Sequence, residues 1–254
     1  MRLSLERLVD RGLYWRPMSN LLEPSSRPEA NGAVAFCAVP LCRMVLLMAA
    51  TLLLGAAFWM DQEAVEFVRQ NANGWGKWFA GRVSFWGDFP GVLAIGLVAW
   101  AIGRWRKNVR WQHAVLLMGL CAVLSGLSAN VVRAGTGRAR PFTPGAPGWY
   151  GVSAGARIGK SAPDFQSFPS AHTAVVAGFF SPLVLLSIRS RRRWIPWTGC
   201  LLGFAGTSLM AWARVWNGKH HLSDVLASML LGLAIGVLIL RRLERRNLNK
   251  TMVS

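Results

Sequence analysis

Six apolar runs punctuate the chain, at about residues 41–60, 90–103, 113–132, 171–188, 194–213 and 222–240, and clusters of arginine and lysine stand between them. A helix of roughly 20 apolar residues crosses the hydrocarbon core of a bilayer. In lipid every backbone N–H and C=O must be satisfied internally, so such runs become helices. The second run reaches that length only if it begins near Phe85. With 53% hydrophobic and 16% charged residues in 254, composition agrees with an integral membrane protein rather than a soluble domain. The expected fold is all-α, a six-transmembrane helical bundle.

The net charge of +18 would suit nucleic acid if it formed one surface. Instead the cations cluster between the apolar runs, so no nucleic-acid partner is expected. Six spans put both termini on one side. That side carries 19 of the 29 Lys and Arg, among them Arg104, Arg106, Lys107 and Arg110, then Arg189 and Arg191 to Arg193, then Arg241, Arg242, Arg245 and Arg246. The excess of cations on cytoplasmic loops therefore places both ends in the cytoplasm and the 133–170 and 214–221 loops outside, in a bacterial inner membrane. The expected organisation is a cytoplasmic tail over 1–32, amphipathic through Leu3, Leu5, Leu8, Val9 and Leu13, a six-span domain over 33–241 and a cytoplasmic tail over 242–254. Between the first two spans, Asp61, Glu63 and Glu66 followed by Trp75, Trp78 and Trp86 predict an external segment with an interfacial aromatic belt. Cys37, Cys42, Cys121 and Cys200 lie in or near apolar segments without metal-ligand spacing and read as free thiols.

This topology brings three polar clusters to the outer ends of the helices. The first is Arg133-x6-Arg140-Pro141, the second Pro169-Ser170-Ala171-His172, the third Arg214-x5-His220-x3-Asp224. Ionisable residues at membrane depth are costly and mark functional sites. Arginine forks match phosphate oxygens and stay charged at any working pH. Ser170 is placed to cap the fourth span, whose free N–H groups form an anion site. Two histidines can divide phosphoryl transfer, one attacking phosphorus and one protonating the departing oxygen. If helix begins at Leu222, His220 and Asp224 are four apart, and the carboxylate is expected to accept from one imidazole nitrogen and leave the other for substrate.

These clusters resemble the motifs of the type 2 phosphatidic-acid phosphatase superfamily, Lys-x6-Arg-Pro, Pro-Ser-Gly-His and Ser-Arg-x5-His-x3-Asp. The resemblance implies an active site at the extracytoplasmic ends of the helices. It implies His220 as a nucleophile forming a phosphohistidine, Asp224 as its orienting group and His172 as general acid. Arg133, Arg140, Ser170, Ala171 and Arg214 would bind the substrate phosphate, with no metal and no cofactor. Three residues depart from the family pattern: Arg133 for Lys, Ala171 for Gly and Ala213 for Ser. None removes an expected catalytic group.

The expected function is that of a membrane lipid phosphatase. Its substrate would be a phosphate monoester or diphosphate of a lipid: phosphatidate, phosphatidylglycerophosphate, an isoprenyl diphosphate or a lipid A-type glycolipid. The alternatives are a phosphotransferase using the same histidine and a non-catalytic binder of lipid phosphates. Oligomeric state is not legible. His113, His221, Lys219, Arg138 and Lys160 are not assigned to the site, and the loop 144–168, with Trp149, Tyr150 and Phe165, is expected to roof the pocket.

Overall fold

The computed structural model describes residues 32–143, 148–153, 161–190 and 193–253. The predicted tail over 1–32 and Lys160 fall almost wholly outside them. Among the described residues the architecture is all-α: α1 Gly32–Trp59, α2 Asp61–Asn71, α3 Gly74–Trp86, α4 Phe89–Trp105, α5 Val109–Thr136, α6 Ala171–Ile188, α7 Trp194–Trp216 and α8 Leu222–Val253. The described residues form two compact units, Val45–Ile239 and the chain on either side of it, and the site lies wholly in the first.

Local chemistry explains the boundaries. Asn73, Asp88 and Asn108 accept hydrogen bonds from first-turn N–H groups of α3, α4 and α5. Ser170 caps α6 as expected, its hydroxyl 3.5 Å from the Thr173 N–H. The external segment expected after the first span is helical: α2 is bent 52° from α1, and α3 lies 61° from α4.

Among the described residues three helices are long and apolar enough to cross a membrane: α5, α6 and the Leu222–Arg246 part of α8. Up to five spans result if each bent pair, α1 with α2 and α3 with α4, counts as one. The predicted fifth span, α7, is not among them, since tryptophan, glycine, serine and threonine dilute its hydropathy. Leu46, Leu52, Leu97, Val98, Leu201 and Phe204 are exposed on α1, α4 and α7, the distribution of an integral membrane protein whose outer surface faces lipid.

The interior forms around α6. Val92 of α4, Met118 and Ala122 of α5, Val175, Val176 and Phe179 of α6 and Met210 of α7 make one buried cluster. Small residues let the helices approach closely. A Cβ at Gly178 would lie 2.5 Å from the Cys121 carbonyl of α5, and one at Gly232 of α8 would lie 2.6 Å from the Gly178 nitrogen. Cys121 is buried and Cys200 half-buried, both free; the side chains of Cys37 and Cys42 lie outside the described residues.

Candidate active site

The three motifs sit where α5 and α7 end and α6 and α8 begin, one end of an alternating set of helices. Two left-handed glycines shape the exits. Gly137, at φ +58°, ends α5, and a Cβ there would lie 2.1 Å from the Gly151 carbonyl. Gly218, at φ +62°, ends α7. The Gly218 N–H donates to the Val215 carbonyl at 2.8 Å and the Lys219 N–H to the Arg214 carbonyl at 3.1 Å, a paired closure that turns the chain sharply into His220.

Hydrogen bonds then join the motif segments. The Ser170 N–H donates to the Asp224 carbonyl at 3.3 Å, and the Ser167 N–H to the Arg138 carbonyl at 3.0 Å. His221 Nε2 donates to the Ala139 carbonyl at 3.2 Å. Asp224, in the first turn of α8, accepts from the His221 N–H at 2.7 Å, the reach-back half of a capping box. Its carboxylate also accepts from Ser167 Oγ at 2.5 Å and from Arg138 at 2.5 Å. Burial alone would disfavour such a charge; three donors offset that cost.

His220 is 1% exposed. Its Nδ1 donates to the Ser167 carbonyl at 2.7 Å, whereas the nearest Asp224 oxygen is 3.7 Å away. This corrects the expectation that Asp224 accepts directly from the ring. His220 precedes the first turn of α8, so the i, i+4 geometry of a continuous helix does not apply. A carbonyl can only accept, so Nδ1 carries the proton and Nε2 of the neutral ring is bare. Arg214 NH2 lies 3.5 Å from Nε2. Burial foremost, and the Arg214 charge next to it, push the His220 imidazole down to about 4, against partial opposition from Asp224 and Ser167.

His172, in the first turn of α6, places Nε2 3.3 Å from Asp88 Oδ1, an oxygen that also caps α4. Arg133, Arg140, Arg214, His172 and His220 are close enough to sense one another's charge. Among the described residues, the buried Nε groups of Arg140 and Arg214 meet no acceptor. Burial lowers the affinity of Arg140 for its proton, and Asp164 restores part of it. A cavity of about 260 Å³ opens beside His172, lined by Asp88, Arg133 and Asn130 on its polar side and by Phe89, Leu127 and Val175 on its apolar side. Among the described residues no three His, Cys, Asp or Glu side chains gather as a metal site.

The sequence profile of the PAP2 superfamily matches residues 114–248, more than half the chain and all three motifs. The chain belongs to the PAP2 superfamily. Among curated proteins it is similar to a lipid A 1-phosphatase of Rhizobium johnstonii, 36% identical over 127 residues, which is 49% of this chain and 45% of that protein. A lipid A 1-phosphatase of Rhizobium etli is 33% identical over 134 residues, 49% of this chain and 47% of that protein. The chain thus matches about half the length of these relatives. The PAP2 fold is seen in the crystal structure of a transmembrane PAP2-type phosphatidylglycerolphosphate phosphatase from Bacillus subtilis, which superposes with a TM-score of 0.51 at 19% identity over 82% of this chain and 96% of that one.

Four contributors escaped sequence reasoning: Ser167 through its carbonyl, Asp88, Asp61 and Arg138. The loop expected to roof the pocket does other work in its described part. Phe165 is buried against Tyr150 and Ala139, and Trp149 covers Arg138. His113 and Lys219 are exposed.

Proposed function

We propose that this PAP2 superfamily member is a membrane lipid phosphatase that works through a phosphohistidine on His220. The observation that carries it is the 2.7 Å contact of His220 Nδ1 with the Ser167 carbonyl, which can only accept, so Nε2 of the neutral ring is left bare 3.5 Å from Arg214. Nε2 attacks phosphorus, an N–P bond forms and the ester or anhydride P–O bond breaks. His172 gives its proton to the departing oxygen. Water, deprotonated by the same His172, then attacks the phosphohistidine, releasing phosphate and regenerating His220. Arg133, Arg140 and Arg214, with Ser170 and the N–H groups at Ala171 and His172, hold the phosphoryl oxygens and stabilise the charge that develops on them. These groups supply the positive charge, so the reaction is assigned no metal.

The substrate class is a lipid bearing a phosphate monoester or diphosphate. The cavity beside His172 pairs an apolar wall with a polar side that carries Arg133, which suits a tail next to such a headgroup. The two curated relatives favour the phosphate of a lipid A-type glycolipid over the other candidates. We assign six spans, with α7 crossing by virtue of its packing against α6, both termini in the cytoplasm of a bacterial inner membrane and the site on the outer face. The distribution of arginine and lysine between the helices supports this orientation.

Phosphate release from a panel of purified lipid phosphates tests the assignment. His220→Asn is expected to abolish release from each; turnover retained in the purified variant removes His220 from its role. A new phosphorylated acceptor in place of free phosphate would show transfer rather than hydrolysis.

A further inference from the structure

Arg138 is a buried cation that no substrate can reach. It is 8% exposed. NH1 donates to Asp224 Oδ1 at 2.5 Å and to Ser223 Oγ at 2.6 Å, and NH2 donates to Asp61 Oδ2 at 2.6 Å. The rings of Phe58 and Trp149 lie 5.2 and 4.8 Å from its guanidinium carbon and cover it. Its charge is therefore committed to two carboxylates from distant parts of the chain. Asp61 is equally committed: it accepts from the Ser223 N–H at 2.9 Å and from Ser223 Oγ at 2.6 Å, which pins the first turn of α8.

The second half of the arrangement runs through Ser167. Its N–H donates to the Arg138 carbonyl at 3.0 Å. Its hydroxyl donates to Asp224 Oδ2, the carboxylate that Arg138 grips from the other side. Arg138 thus holds Ser167 twice, once through its own main chain and once through Asp224. Ser167 in turn presents the carbonyl that takes His220 Nδ1.

We propose that Arg138 is a positioning residue for the nucleophile: with Asp61 it fixes Asp224 and Ser167 so that the Ser167 carbonyl holds His220 with Nε2 bare and aimed at phosphorus. The proposal rests on the assignment of His220 above. Arg138 touches neither the phosphate-binding arginines' free donors nor the cavity, so its effect belongs in kcat. A displacement of about 1 Å at a reacting group can cost about 100-fold in rate. Lysine keeps the charge but, as a point donor, cannot fork between two carboxylates.

The test uses the purified full chain in detergent micelles and a short-chain phosphatidate, with Arg138→Met and Arg138→Lys compared to wild type. Arg138→Met is expected to lower kcat about 100-fold with KM within about twofold, and Arg138→Lys to recover part of that loss. In both, the acid limb of kcat/KM should move to higher pH, because Asp224 released from Arg138 draws a proton onto His220. The other charged and titratable groups facing His220 are Arg214 and His172, and neither is altered by these substitutions. A merely structural role would not move that limb. Where Arg138→Met does not fold, Arg138→Lys carries the test. Folded variants with wild-type kcat and an unmoved limb overturn the proposal, as does a loss confined to KM, which would mark Arg138 as a substrate contact. His220→Asn run alongside separates the two claims: if it is inactive while both Arg138 variants match wild type, only the positioning role falls.

Discussion

Asp224→Asn is the substitution that most sharply separates a carboxylate that orients His220 directly from one that acts through Ser167. Three donors aim at its two oxygens: Arg138 NH1 at 2.5 Å on Oδ1, and Ser167 Oγ at 2.5 Å with the His221 N–H at 2.7 Å on Oδ2. An asparagine has one acceptor oxygen and one NH2. If NH2 takes the Oδ1 place, it meets Arg138 donor to donor. If it takes the Oδ2 place, the Ser167 hydroxyl can rotate to accept, but the His221 N–H is left buried and unpaired. One charge-assisted hydrogen bond is worth about 1.5–3 kcal/mol and a buried unpaired donor costs about 1–3 kcal/mol, so either orientation predicts a loss of about 2.5–6 kcal/mol. In the serine protease triad, where the carboxylate bonds the histidine directly, the equivalent change costs about 10⁴-fold in kcat through the wrong tautomer. Here the Ser167 carbonyl keeps the proton on Nδ1, so the expected fall is smaller, about 100-fold, from displacement of Ser167. Thermal unfolding in detergent and steady-state phosphate release measure the two quantities. A folded variant as inactive as His220→Asn, or one as stable as wild type, would refute the reasoning.

Four further outcomes follow from the structure and the proposed chemistry. The depressed His220 imidazole, at about 4 instead of the ordinary 6.5, keeps Nε2 unprotonated through neutral and mildly acid pH. The limb of kcat/KM owed to the nucleophile should therefore fall only near pH 4, once the substrate's own ionisation is subtracted; a limb near 6.5 would contradict the buried, neutral ring. The sign for stability is the same: the contribution of neutral His220 is full above 6.5 and is lost as pH falls through about 4, which acid unfolding would show. Gly232→Ala sets a Cβ 2.6 Å from the Gly178 nitrogen, and overpacking of this kind should cost about 1–3 kcal/mol in thermal unfolding; an unchanged melting point would mean that α6 and α8 are less closely packed. Chelator treatment followed by dialysis should leave phosphate release unchanged, and a loss restored by one divalent cation would add a metal to the mechanism.

Much of this site was legible as sequence because its chemistry is carried by side-chain types at fixed spacings. Arg133, Arg140, His172, Arg214, His220 and Asp224 each lie within a few residues of a helix end, and apolar runs mark those ends. Ser170 showed itself by standing immediately before a span, where a cap is needed. What spacing cannot show is a main-chain acceptor. The Ser167 carbonyl holds His220 without any signature of residue type. Asp61 read as one external acid among Glu63 and Glu66, yet it meets Ser223 across 162 positions of chain. Arg138 was left out of the site because nothing local betrays its carboxylates; the one available hint was an aspartate directly after an apolar run, in need of a partner. At α7 the length is that of a span, but polar and aromatic residues lower its hydropathy below that of α5, α6 and α8.

Rapid quenching of the full chain with a phosphate-labelled lipid substrate, followed by mapping of the labelled residue and ring nitrogen, addresses the covalent step itself. The account predicts an acid-labile phosphoryl group on His220, bonded to Nε2 and absent from His220→Asn. Label on Nδ1, on another residue, or on none while turnover proceeds would contradict it.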